Sequence, residues 1–337
     1  MLRSLPPSIT DHLALPVFVA PMFLVSGPDF VLASCKAGVL GSFPAPNTRT
    51  VEELEDWLRR ISTEHEAARR AYPNRKIAPW ALNMVVHTTY ARFEQELALA
   101  VKYRAPIVIT ALGSPKRVVD AVHSYGGLVF ADVNSVSFAK KACETGIDGL
   151  ILVSAGAGGH VGPLAGFAFL PEVRQFWNGP IVLAGAISNG RAVRAVEVLG
   201  ADIAYIGTRF IAAQESLVPD AYREMVIGAG AEDIVLTDAI TGVKANFLAP
   251  SLTAAGYDVR NMQPRGKVDF SKNDDKKAWK HVWAAGQGVA AIRRVETVAE
   301  IVDQLKQEYR VAVADGKRPN RWLESTDEAL TLQRARA

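Results

Sequence analysis

Residues 148–162 read DGLILVSAGAGGHVG: an apolar run, then nine residues holding four glycines and one histidine, His160. A run without polar alternation suits a strand buried on both faces, the usual state in a parallel sheet. Glycines placed straight after such a strand let the backbone pass close to a flat or charged ligand and offer their amides without side-chain obstruction.

Working outward, seven further runs of the same kind appear: 15–20, 38–43, 77–84, 106–110, 127–132, 180–185 and 201–207. Helical patterns separate them. Residues 51–70 carry acids early and arginines late, as the helix dipole favours, with Asn47 and Thr48 ahead of them. Residues 89–104 repeat apolar positions at three-and-four spacing. Segment 114–127 begins with Ser114 before Pro115, and segments 135–146 and 188–200 each open on serine and close on glycine. Eight βα units predict a TIM (β/α)8 barrel. The rival is a doubly wound open sheet, but no GxGxxG follows the first run. The expected barrel spans 1–224 and 290–315, the latter a final amphipathic helix packing back on the body. Residues 225–289 lack a strong period and read as an extension or subdomain over the barrel mouth.

Bulk composition narrows the partners. With 38 basic and 35 acidic residues and no basic stripe interleaved with aromatics, nucleic acid is not expected. The longest apolar stretch, 13–25, is shorter than the roughly 20 residues of a membrane helix and holds two prolines, so no membrane association is expected. Cys35 and Cys143 stand far apart and read as reduced thiols of a cytoplasmic protein. No His/Asp/Glu cluster has metal-ligand spacing. A homo-oligomer is compatible with the chain.

In a barrel, catalytic loops follow the C-terminal ends of strands, which places His160 at the mouth. The loops after the seventh and eighth runs, 183–191 and 205–210, are where such barrels commonly bind phosphate. Gly185, Ala186, Gly207 and Thr208 offer amides and a hydroxyl for one phosphate group.

The ordered motifs GAGGHVG (156–162), IVLAGAISNGR (181–191) and GADIAYIGTRFIAAQES (200–216) resemble those of the nitronate monooxygenases, formerly 2-nitropropane dioxygenases. VAPM (19–22), ALNM (81–84) and AAGQGVAAI (284–292) extend the resemblance over most of the chain. The GGH loop is shared with FMN-dependent enoyl-ACP reductases. The resemblance implies a barrel that binds FMN, with the phosphate held by Gly185, Ala186, Gly207 and Thr208 and flanked by Tyr205 and Ile206. It lays the backbone of Ala20, Pro21 and Met22 along the isoalloxazine ring, with Asn83 at its polar edge and Gly158 admitting the histidine loop. His160 matches the active-site histidine. Departures stand at three positions. Ala186 replaces a common second glycine, tolerable if its backbone avoids the left-handed region. Asp132 stands where some relatives have lysine, and Val153 where some have a polar residue.

The implied reaction oxidises an alkyl nitronate with molecular oxygen to a carbonyl compound and nitrite. A histidine there can stabilise the nitro oxygens or act as a base toward a neutral nitroalkane. His87, after the third run, and Gln287, in AAGQG, are further candidates for substrate contact. His12, His65, His123 and His281, and the tryptophans Trp57, Trp80, Trp177, Trp279, Trp283 and Trp322, read as structural. Two rival functions remain: an NAD(P)H-dependent FMN reductase acting on a quinone or enoyl thioester, and a flavin-binding protein without turnover.

Overall fold

The computed structural model describes residues 5–264 and 282–317. Segment 271–277, His281, Trp279 and Trp322 lie outside them.

All eight apolar runs form strands of one parallel sheet: β1 (Val17–Val19), β2 (Gly41–Pro44), β3 (Trp80–Val85), β4 (Ile107–Ala111), β5 (Leu128–Val133), β6 (Gly149–Val153), and, after a two-residue strand β7 (Gly159–His160), β8 (Ile181–Ala184) and β9 (Ile203–Ile206). Their order is β1-β9-β8-β6-β5-β4-β3-β2. The ends of that order meet, because Val19 N–H donates to Leu40 O at 2.8 Å and Leu40 N–H to Val17 O at 3.1 Å. The sheet is therefore a closed barrel.

Alternate residues of each strand fill two cores. Phe18, Leu40, Ile107, Ile109, Phe130, Ile151, Val182 and Ile203 pack in the lumen, plugged below by Leu5, Ile9 and Leu13. The opposite faces pack on the surrounding helices. Each fully buried Leu, Ile or Phe contributes about 1.5–3 kcal/mol.

Helix ends follow local chemistry. Thr50 and Ser135 cap Val51–Ala71 and Val136–Cys143 by accepting from Glu53 N and Phe138 N. The cap of Gly190–Leu199 is Asn189 and not Ser188, since its carbonyl oxygen accepts from Ala192 N. Thr48 instead donates its hydroxyl to Ala45 O and belongs to the preceding turn. The last helix, Val298–Asp315, starts with a Thr297/Glu300 capping box. It crosses helix Gly190–Leu199 so closely that Gly190 can carry no Cβ, the nearest atoms being Leu305 O and Tyr309 N.

The C-terminal extension builds a second sheet at the mouth. Strands β10 (Ile234–Thr237) and β11 (Ala245–Leu248) pair antiparallel, and β11 pairs antiparallel with β7. The glycine loop is thus an edge strand. Among the described residues, no helix is long and apolar enough to cross a membrane.

Candidate active site

A cavity of about 1760 Å³ opens at the C-terminal ends of the barrel strands. Its walls come from almost every strand end, including Ala20, Pro44, Asn83, Ala111, Asp132, Val153, Ala184 and Tyr205. The extension closes one side with Thr241, Val243 and residues 282–284.

His160 lines this cavity from β7. Its backbone is pinned: Ala245 faces it across the ladder, and Val161 N–H donates to Lys244 O at 3.1 Å. Asn246 donates its side-chain amide to Ala157 O at 2.6 Å, holding the loop one turn earlier. A stretch of sequence that looks supple is therefore hydrogen-bonded along both flanks.

The two expected phosphate loops lie beside it. Gly185 has φ 120° and no room for a side chain, because Ser154 Oγ would stand 2.3 Å from a Cβ. Ala186 has φ 55°, so the condition that would make its methyl harmless is not met. An L-residue in that region carries strain of about 1–2 kcal/mol. Gly207 is not left-handed; a Cβ there would meet Met22 Sδ at 3.3 Å and Ala20 Cβ at 3.4 Å. Thr208 Oγ1 accepts from Gly286 N at 2.8 Å, which leaves its own hydroxyl proton to donate. Gly185, Ala186, Gly207 and Thr208 all face the cavity.

The segment 284–288 ties these loops together. Gly286 passes so close that a Cβ would sit 2.5 Å from Gly156 O and 2.8 Å from Gly158 N. Gln287 N–H donates to Gly156 O at 2.9 Å, and Gly288 lies against Ser188. Gly158 thus admits the 284–288 backbone while also lining the cavity.

Ala20, Pro21 and Met22 line the mouth after β1. Asn47 staples their loop, accepting from Leu24 N at 2.9 Å and donating to Met22 O and Ser26 O at 3.1 and 2.7 Å. Asn83 projects into the lumen and makes one long bond, to Ile109 O at 3.4 Å. Tyr205 points into the lumen, whereas the side chain of Ile206 is buried in the outer layer between strands and helices. His87 is bonded to Thr89 Oγ1 at 2.8 Å in the turn after β3, and Gln287 is exposed with its Oε1 beside Gly156. Neither lines the cavity. His12, His65 and His123 have partners in Arg69, Ala78 O and Asp148. Trp57 and Trp283 combine packing with a place in the cavity wall; Trp283 stacks on Tyr222 with ring centroids 4.9 Å apart.

Three features were not legible in the sequence. Arg209, three residues past β9, forms a buried ion pair with Glu296 at 2.7 Å and bonds Gln304 at 3.0 Å, anchoring the loop after β9 to the C-terminal segment. Asn47 has no motif around it. Asp132 is partly buried, and its Oδ1 is fully buried without a hydrogen-bond partner, as is the hydroxyl of Tyr205. Desolvation pushes the Asp132 carboxyl up to about 7. Tyr205 is raised by burial and then by the Asp132 charge.

The "Nitronate monooxygenase" family model matches residues 8–308. The chain belongs to the nitronate monooxygenase family. A nitronate monooxygenase of Paraburkholderia phytofirmans is 27% identical over 88% of this chain and 93% of its own length. An octahydro-indene-carboxyl-CoA dehydrogenase of Rhodococcus jostii is 28% identical over 77% of this chain and 69% of its own. Among solved structures, the nitroalkane oxidase of Streptomyces ansochromogenes superposes with a TM-score of 0.72 at 23% identity, covering 91% of this chain and 99% of that one. FabK of Thermotoga maritima gives a TM-score of 0.72 at 22% identity, covering 91% and 96%. These structures share the barrel fold, and membership of the family makes the chain an oxidoreductase.

Proposed function

We propose that this oxidoreductase is an FMN-dependent nitronate monooxygenase that takes an alkyl nitronate and molecular oxygen to a carbonyl compound and nitrite. The observation that carries the reading is His160 at the edge of a cavity whose walls include the two glycine-bearing loops after β8 and β9. The residues fit a flavin mononucleotide. Gly185 and Gly207 bring bare backbone to the cavity wall, Thr208 keeps a donor hydroxyl, and Asp132 and Tyr205 carry unsatisfied polar atoms there. FMN, when bound, accepts the electrons that leave the substrate carbanion.

The protein's own contribution is placement. Ladder pairing of β7 holds His160 so that its ring reaches substrate in the cavity, where it donates to nitro oxygens or removes a proton from a neutral nitroalkane. Trp283, Tyr222 and Phe23 give the same cavity an apolar lining.

A second reading draws on cavity size. Ligand pockets commonly span about 300–1,000 Å³, and 1760 Å³ leaves room beside a cofactor for a substrate as bulky as an acyl thioester. One experiment separates the two. FMN-reconstituted protein is mixed without oxygen with propyl nitronate or, separately, with NADH and NADPH. Bleaching by the nitronate alone supports the monooxygenase; rapid bleaching only by a reduced nicotinamide supports the reductase.

A further inference from the structure

The barrel lumen is apolar through its lower levels, where Phe130, Ile151, Val182 and Ile203 meet. Below the top, Ser42 spends its hydroxyl on Val19 O; the uppermost layer adds Asn83 from β3, Asp132 from β5 and Tyr205 from β9, all facing the cavity. Two of the three hold buried polar atoms, Asp132 Oδ1 and Tyr205 OH, that have no hydrogen-bond partner among the described residues. Each such group costs about 1–3 kcal/mol when left unsatisfied. Both face the same cavity, from strands three apart in the barrel order, and mark a place where a ligand completes the bonding.

The surroundings set which ligand atoms fit. From β4 comes Ala111. From β6 come Ile151 and Val153, and across the lumen stands Tyr205. His160 and Lys141 line the same cavity, yet no ion pair reaches the Asp132 carboxylate among the described residues. With apolar strands on both sides and no paired cation, the carboxyl is favoured in its neutral form. A neutral carboxyl and a phenol both present a proton. Set on opposite sides of the upper lumen, they call for acceptors on the edge of a ligand that reaches between them.

We propose that Asp132 and Tyr205 seat the pyrimidine edge of the flavin ring, each donating its proton to the carbonyl and ring-nitrogen acceptors of that edge. This rests on the reading that the cavity binds FMN. It assigns a cofactor-recognising role to a residue type opposite in charge to the lysine of some relatives. Ionised Asp132 would turn its lone pairs on the acceptors and repel the ring, so binding requires the proton.

The test is FMN affinity of apoprotein, read from quenching of flavin fluorescence between pH 6 and 9, with thermal melts confirming that each variant folds. Wild-type affinity should fall roughly tenfold per pH unit above about 7, because binding is linked to one proton. Asp132→Asn keeps a donor without a charge, and its affinity should stay within about threefold over that range. Subtracting the Asp132→Asn profile removes the ionisation of the FMN phosphate, which both proteins share. Tyr205→Phe should lose about tenfold at every pH while keeping the wild-type slope. Tight FMN binding with identical pH profiles in wild type and Asp132→Asn overturns the assignment and leaves the cofactor reading standing. Affinity that rises with pH overturns it too, since an ionised carboxylate would then be accepting from the ring. Failure of the wild type to bind FMN at any pH overturns both.

Discussion

Ala186 sits in left-handed backbone at φ 55°, directly after Gly185, and its Cβ lies 3.1 Å from the place a Cβ on Gly156 would take. Strain of this kind persists where surrounding structure over-determines it, and here the loop faces the candidate phosphate site. Ala186→Gly should relieve about 1–2 kcal/mol of strain and give back part of it through a looser unfolded chain. The net expectation is a gain of roughly 0.5–1 kcal/mol, read as a higher urea midpoint at unchanged slope. A lower midpoint would show the methyl to be a stabilising contact. Asp132 stores a second local conflict. Its carboxyl is raised from 3.8 to about 7 by desolvation, so between those pH values the folded state holds a proton that the unfolded state has lost. Stability therefore falls as pH rises through that window and is flat above it. Three units correspond to at most about 4 kcal/mol, and water in the cavity reduces that figure. Apoprotein melts should show the wild type losing stability relative to Asp132→Asn from pH 5 to 7, with no further divergence at pH 8. Parallel curves would mean that the carboxyl is well solvated.

The glycine loop gains its order from elements far along the chain. Gly159 pairs with Asn246, and Gly156 accepts from Gln287 N. That is why the extension was legible only as a region without period: β7 is two residues long, β10 is largely unburied, and the pairing that orders them is long-range. The barrel runs, in contrast, are apolar on both faces and declare themselves locally. The passage of 284–288 against the loop makes one glycine decisive. In Gly286→Ala, the new methyl meets backbone on both sides, Gly156 O at 2.5 Å and Gly158 N at 2.8 Å, so no side chain can turn away. The segment must retreat, and Thr208 loses its Gly286 N–H donor. FMN affinity should drop by about tenfold or more while the barrel melts within a few degrees of wild type. Gly228→Ala, where a Cβ meets nothing within 4 Å, is the control. Unchanged affinity in Gly286→Ala would detach this segment from the cofactor site. His160, held on the same loop, has its own test: His160→Asn should lower kcat/KM for a neutral nitroalkane on the order of 100-fold. A smaller loss with preformed nitronate would identify a base, equal losses an electrostatic role, and full activity on both a bystander.

At the scale of the molecule, alternation of runs and helices gave the barrel, but closure is a property of backbone register that no residue pattern states. It is seen in the bonds between Val19, Leu40 and Val17, and in the Ser42 hydroxyl bonded to Val19 O, that join the first strand to the second. Cavity size is likewise collective, set by how far the extension stands above the strand ends. The volume of 1760 Å³ is bounded at its rim by apolar side chains that remain well exposed: Leu24 at 41%, Leu217 at 51% and Phe138 at 55%. Exposed apolar side chains grouped around a cavity mouth mark a ligand-binding surface rather than ordinary scatter. A nitronate with a longer alkyl chain should therefore place its tail on this rim while its charged carbon stays near His160. Each methylene taken from water contributes about 0.8 kcal/mol when fully buried, roughly fourfold in kcat/KM. Partial burial at an open rim lowers that to about twofold per methylene. The expected series from ethyl to hexyl nitronate is a steady climb in kcat/KM carried mainly by falling KM, since the tail contacts ground state and transition state alike. Replacing Phe138 and Leu217 by serine should flatten the climb while leaving ethyl nitronate unaffected. A series that declines beyond propyl would mean that the space above the strands is closed to substrate, and that the enzyme acts on small nitronates only.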